Sequence, residues 1–312
     1  MLKPFSAVYV AKKEFIAELC DELGGDVEVV ENLVFSSVKN PNVCFALDIW
    51  FEPVLVEFES ISEAVRVLRG AGKYWYLNPV SHVRRSRLIE EQLVKLPDIR
   101  REFPQGNSIP DVGCFSLLGQ NTLLYAVKRW KKAPLGETFL VEDKKNPPNR
   151  AYLKLWEALT LLDRYPQPNE TAFDLGASPG GWTYVMQSFG AKVTAIDKAP
   201  LDPAIAKLPK VTFLQQSAFA LNPNELDKVL DWVVCDIACY PDRLYDLVIN
   251  WINSNKAKQM IFTIKLQGKT DIEMIKKFQA IPNSRTLHMF NNKHEATFFY
   301  PASPKLFPLE NS

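Results

Sequence analysis

The stretch Phe173-Asp174-Leu175-Gly176-Ala177-Ser178-Pro179-Gly180-Gly181-Trp182-Thr183 reads as an apolar strand that ends in a glycine-rich turn and runs directly into a helix. This pattern predicts a site for a nucleotide-like cofactor. Gly176 suits the tight turn after the strand, and Gly180 and Gly181 let the backbone approach a ligand with no side chain in between. Pro179 fixes φ at the helix entry. The spacing departs from the G-x-G-x-x-G of dinucleotide sites, which favours a ligand smaller than a pyrophosphate carrier. The next run, Lys192-Val-Thr-Ala-Ile-Asp197, predicts a second parallel strand and sets a carboxylate about twenty residues beyond the turn, where ribose hydroxyls are held. Asp197 is the expected ribose ligand, although a glycine-rich turn and an acid after a strand also occur in α/β proteins with other tasks.

Outward from this stretch, helix and strand alternate regularly. Helices are predicted over 150–162, 182–189 and 241–253, and short apolar strands over 172–175, 192–196, 211–214, 232–235 and 260–264. The order implies an α/β domain over 146–308 with a mostly parallel sheet covered on both faces, closed by a strand at 295–300. Earlier in the chain, strand-like runs at 5–10, 27–38 and 43–58, with helices at 13–23 and 62–69, predict a smaller α+β domain over 1–75. Residues 76–145 read as a basic connecting segment that could belong to an RNA-binding unit, and Asn146-Pro-Pro-Asn149 as a linker.

At 312 residues, two units are the default expectation. Lysine and arginine total 37 against 36 acids, so overall charge favours no partner; its distribution does more. Residues 1–65 hold 4 basic and 12 acidic side chains, whereas 66–150 hold 16 and 8. The second stretch includes Arg84, Arg85, Arg87, Arg100, Arg101, Lys128, Arg129, Lys131 and Lys132, with Trp130 among them. Such residues could follow RNA phosphates and stack bases, or they could solvate a surface and pair with the acidic first segment. Cys20, Cys44, Cys114, Cys235 and Cys239 form no C-x-x-C pair, and only three histidines exist, so no zinc site and no disulfide scaffold is expected, in keeping with a reducing cytoplasm. Neither a signal peptide nor a membrane span is expected, because no uncharged run approaches about 20 residues.

Ligands of a parallel sheet bind beyond the carboxyl ends of its strands. Asp236 follows Trp232-Val-Val-Cys235 and Lys265 follows Met260-Ile-Phe-Thr-Ile264. If these strands are neighbours, their ends lie about 4.8 Å apart. Taken singly, each residue reads more readily as half of a structural ion pair than as a catalytic group.

With those residues, Asp174-Leu-Gly-Ala-Ser-Pro-Gly-Gly-Trp-Thr183 resembles the first motif of the FtsJ/RrmJ-like S-adenosylmethionine-dependent RNA ribose 2′-O-methyltransferases. The likeness is to the RlmM branch, which methylates a cytidine ribose in large-subunit ribosomal RNA, and it runs over 146–300. The family's Lys-Asp-Lys-Glu tetrad is matched in order by Lys154, Asp236, Lys265 and Glu295. The resemblance implies a Rossmann-like methyltransferase sheet whose last strand runs antiparallel beside the one ending at Lys265, which would carry Glu295 to Lys265 and Asp236. It implies S-adenosylmethionine as cofactor, held by Asp174, Gly176, Ser178, Pro179, Gly180, Gly181, Trp182, Asp197, Ser217 and Asp236, with no metal. It also implies RNA as partner, for which the charge distribution offers the basic residues of 66–150 as contacts.

Within that resemblance, Lys265 is expected to take the proton of the ribose hydroxyl. Asp236 and Glu295 would orient the lysines, and Lys154 would place the ribose or steady developing alkoxide charge. Desolvation and Lys154 push the Lys265 ammonium towards neutrality and the two acids push it back; sequence leaves that balance open. Where the family often has an aspartate for the adenine amino group after the third strand, this chain has Gln215-Gln216-Ser217, and Ser217 accepts a weaker hydrogen bond. Full-length members add a THUMP domain, for which 1–145 is short. Competing readings are a cytosine C5 enzyme using Cys235 or Cys239, an amino-group methylase, and a catalytically inactive RNA-binding or assembly protein. The first would use a cysteine that ends an apolar strand, and the second lacks its Asn/Asp-Pro-Pro-aromatic turn at Asp236-Ile-Ala-Cys-Tyr240-Pro241.

Overall fold

The computed structural model describes residues 3–40, 42–104 and 109–308. They fall into two compact units, one running to Val141 and rejoined by the chain from Phe307, the other Glu142–Leu306.

In the first unit, β1 (Ala7–Val10), α1 (Ile16–Leu23), β2 (Val27–Val30), β3 (Leu33–Ser36) and β4 (Asp48–Phe51) supply an antiparallel sheet of order β2-β3-β1-β4. The run at 27–38 is thus a hairpin, turned at Glu31 with φ 55. A second sheet, β5-β8-β7-β6, is built from β5 (Val54–Glu57), β6 (Tyr74–Leu77), β7 (Val112–Leu117) and β8 (Thr122–Ala126), with α2 (Ile61–Ala71) between β5 and β6 and α3 (Val83–Glu90) between β6 and β7. Val8, Leu33, Phe35 and Trp50 of the first sheet share a core with Cys114, Leu124 and Ala126 of the second.

A boundary after residue 75 would cut β6, which pairs in parallel with β7 from Tyr74–Val112 to Leu77–Phe115. Residues 76–145 are therefore no separate connector. They supply β7, β8 and the arginine-rich α3 to the same unit that holds the first 75 residues. The second unit begins at Glu142 because that segment is tied into it: Tyr184 Oη donates to Asp143 at 2.9 Å, and Arg150 pairs with Glu142 at 2.6 Å.

The second unit contains α4 (Tyr152–Leu162), β9 (Thr171–Leu175), α5 (Gly181–Ser188), β10 (Lys192–Asp197), α6 (Pro203–Ala206), β11 (Val211–Gln215), β12 (Leu230–Cys235), α7 (Pro241–Ser254), β13 (Ala257–Lys265), α8 (Ile272–Gln279), β14 (Arg285–Leu287) and β15 (Glu295–Tyr300). Its seven-stranded sheet has the order β11-β10-β9-β12-β13-β15-β14. Strands β9 to β13 run parallel, and β15 runs antiparallel to β13 with Lys265 opposite Glu295. Central strands buried on both faces need apolar residues at successive positions, as in Trp232-Val-Val-Cys235 and Met260-Ile-Phe, all at most 1% exposed. From β9 the chain winds outward to β10 and β11, then returns to lay β12 on the other side of β9. The switch point between β9 and β12 opens a crevice at the carboxyl edge.

Candidate active site

Gly176 ends β9 at φ 76, and a Cβ there would stand 2.4 Å from Ile237 Cγ1 in the loop after β12. Only glycine meets both demands. The Asp236 N–H closes the same edge by donating to the Leu175 carbonyl at 3.3 Å. Above it lies a cleft of about 580 Å³ whose wall includes Gly176, Ser178, Asp197, Ser217, Asp236 and Ile237. That volume suits a nucleoside-sized ligand. Asp197 is held by the N–H groups of Ser178 and Ala199, both at 2.9 Å, which leaves carboxylate lone pairs for further donors.

Pro179, Gly180, Gly181 and Trp182 build the turn and open α5 beside this cleft wall. A Cβ on Gly180 would come within 2.7 Å of Ile205, and one on Gly181 within 2.3 Å of Asn149 Oδ1. Trp182 is 3% exposed and its Nε1 donates to the Ala151 carbonyl at 2.9 Å. At Gly180 and Gly181 the packing of the protein itself already demands a small residue.

Asp174 lies in β9, two residues before Gly176, and is fully buried. Thr183 Oγ1 donates to its Oδ2 at 2.6 Å, and its Oδ1 has no hydrogen-bond partner. Burial pushes the carboxyl up to about 7 against the Thr183 hydrogen bond, with Asp236 and Asp197 adding to the rise.

The four tetrad side chains meet in one cluster. Lys154 Nζ, from α4, donates to both oxygens of Asp236 at 2.8 and 2.7 Å and lies 3.1 Å from Glu295 Oε1. Lys265 Nζ donates to Asp236 Oδ1 and Glu295 Oε2, each at 2.6 Å. Burial pulls the Lys265 ammonium down, but Asp236 and Glu295 outweigh it and hold the group above the ordinary lysine range. Burial raises Glu295, and Lys154 and Lys265 outweigh that in turn, holding it below the usual glutamate range. The balance left open by sequence therefore falls to the acids: at rest Lys265 is an ammonium.

Glu157 was missed by sequence reasoning. It lies three residues after Lys154 in α4, fully buried, and accepts from the backbone N–H groups of Phe290 and Asn291 at 2.9 and 2.7 Å and from Asn291 Nδ2 at 2.8 Å. It thereby fixes the turn that leads into β15 and Glu295. The available signal was the one charged residue in the Leu155–Leu162 part of the helix, which is apolar but for Thr160. Cys235 is fully buried in β12, and burial raises its thiol well above the ordinary range, so it is unsuited to nucleophilic attack.

The sheet order, the cleft at the switch point and the lysine–carboxylate cluster define a Rossmann-like methyltransferase domain. A model of the family described as FtsJ-like methyltransferase matches residues 147–304, and the chain belongs to that family. A ribosomal RNA large subunit methyltransferase M from Halorhodospira halophila is 36% identical over 165 residues, 50% of this chain and 47% of that protein. One from Teredinibacter turnerae is 31% identical over 179 residues, 55% of this chain and 50% of that protein. The chain thus spans about half the length of the curated relatives it matches. Among solved structures, the Methanococcus jannaschii fibrillarin pre-rRNA processing protein aligns with TM-score 0.37 at 18% identity, over 64% of this chain and 86% of its own.

The residues present fit S-adenosylmethionine. The ligand carries a sulfonium and an ammonium, and the cleft wall carries the carboxyl groups of Asp197 and Asp236. Asp197 would hold the ribose hydroxyls and Ser217 the adenine amino group. Among the described residues no group of three or more histidine, cysteine or acidic side chains could hold a metal ion, and no helix is long and apolar enough to cross a membrane.

Proposed function

We propose that this chain transfers a methyl group from S-adenosylmethionine to a ribose 2′-hydroxyl of RNA, with large-subunit ribosomal RNA as the substrate and the cytoplasm as the place of work. The reading rests on the meeting of Lys154, Asp236, Lys265 and Glu295 at the cleft edge. Membership of the FtsJ-like family and the names of the relatives support it.

When bound, S-adenosylmethionine supplies an electrophilic methyl carbon. Lys265 accepts the hydroxyl proton as the ribose oxygen becomes nucleophilic, and to do so it must first release its own. Its two carboxylate partners make the neutral amine scarce at neutral pH. Asp236 bridges both lysines, so one carboxylate sets the spacing of the two amino groups. The Lys154 ammonium faces the same edge and steadies charge that develops on the oxygen. Holding the hydroxyl in this geometry supplies much of the acceleration.

On the first unit, Arg84, Arg87 and Arg100 are exposed and are our candidates for phosphate contacts. Arg129 and Lys131 are not among them. The Arg129 side chain is 4% exposed and pairs with the buried Asp48 at 2.8 Å, and Lys131 is 6% exposed. The test is Lys265→Ala. Methyl transfer to ribosomal RNA from cells lacking the protein is expected to fall by at least about 100-fold, with cofactor affinity by calorimetry within about twofold of wild type. Retained transfer would remove Lys265 from the proposed role.

A further inference from the structure

Tyr240 stands four residues beyond Asp236, immediately before α7, and lines the same cleft. At 66% exposure it is the most exposed large apolar side chain among the described residues. Leaving a tyrosine ring in water at the mouth of a reaction cleft forgoes burial, which a ligand with a flat face would restore. Arg243 follows at three residues' distance, a spacing that puts the two positions on one side of the helix start. Its guanidinium carbon lies 3.8 Å from the centroid of the Phe219 ring, and both residues also line the cleft. Stacking fixes the guanidinium plane. Arg243 has no carboxylate partner among the described residues, so its N–H edge remains available to an anion.

We propose that Tyr240 and Arg243 seat the acceptor nucleotide: the Tyr240 ring stacks on its base, and Arg243 donates to a flanking phosphate, so that the 2′-hydroxyl enters towards Lys265. The proposal rests on the reading of the substrate as RNA and adds how that RNA is gripped. It requires an unpaired nucleotide, because a base stacked within a duplex cannot lie on a ring at the cleft rim. Every base offers a π face, so the seat tolerates sequence and leaves choice of position to other contacts.

The experiment uses the full chain, S-adenosylmethionine, large-subunit ribosomal RNA from cells lacking the protein, and a fluorescent single-stranded fragment of that RNA. Tyr240→Ala is expected to raise KM for RNA about tenfold while the Kd for cofactor stays within about twofold. Tyr240→Phe and Tyr240→Trp restore the wild-type KM and Tyr240→Leu does not, because the flat ring carries the effect. Arg243→Ala is expected to reduce the slope of log affinity against log salt by about 1, whereas Arg243→Lys keeps it. If Tyr240→Ala weakens the cofactor in step with RNA, or changes neither, the seat is refuted. Should wild type transfer no methyl group, the catalytic reading fails separately. Anisotropy of the labelled fragment then decides on Tyr240 alone, weaker binding by the alanine variant supporting the seat and equal binding refuting it.

Discussion

Replacing Asp174 by asparagine keeps the shape of a fully buried side chain and removes its charge. In the folded chain, burial lifts this carboxyl from an ordinary 3.8 to about 7. A group raised in this way contributes its full stability below the unfolded value, where both states carry the proton, and that contribution is lost as pH rises through the folded value. The gap is about three pH units at roughly 1.4 kcal/mol each, so this carboxyl alone removes about 4 kcal/mol of stability between about pH 4 and pH 8. Asparagine escapes that loss but accepts a weaker hydrogen bond from Thr183, at a cost of about 1 kcal/mol. Asp174→Asn is therefore expected to be more stable than wild type by about 2 to 3 kcal/mol at about pH 8, with no such advantage at about pH 4. Urea unfolding of both proteins at the two pH values reads this directly. An identical difference at both pH values would mean that folding leaves the titration of Asp174 unshifted and would contradict the burial argument.

Glu295→Gln removes one of the two charges that hold Lys265 above the ordinary lysine range, so the alkaline-rising limb of the single-turnover pH profile is expected to move towards acid; superimposable profiles would dissociate Glu295 from the protonation of Lys265. Gly176→Ala meets both the φ of 76 and the approach to Ile237, and is expected to cost about 1 to 3 kcal/mol in unfolding experiments and at least about tenfold in cofactor affinity. Unchanged calorimetric affinity in that variant would take Gly176 out of the cofactor site.

Much of the second unit was legible because its signals are local. Apolar runs ending in Gly176, Asp197, Asp236 and Lys265 mark strand ends, and strand ends are where a parallel sheet presents its chemistry. The position of Glu295 needed the sheet order, which came from resemblance; the observed register then sets it opposite Lys265. Other features depend on partners far along the chain. That Gly180 and Gly181 must also be small to pack against Ile205 and Asn149 shows only in the fold. Arg129 cannot be told from a surface arginine without Asp48, 81 residues away. The polar turn Gly119-Gln120-Asn121-Thr122 separates β7 from β8, and with 113–125 read as one apolar segment the hairpin went unseen and residues 76–145 read as a connector. The charge state of Lys265 depends on two contacts of 2.6 Å, a geometry that composition does not contain.

The central claim is that four side chains from α4, β13, β15 and the loop after β12 form one centre that methylates a ribose oxygen. Its most direct test is to incubate ribosomal RNA from cells lacking the protein with methyl-labelled S-adenosylmethionine and the wild-type chain, digest the RNA to nucleosides, and identify the labelled product by mass spectrometry. Label on the ribose of a single 2′-O-methylnucleoside is the expected result. Label on a base, or RNA left unlabelled by a chain that binds the cofactor, would contradict it.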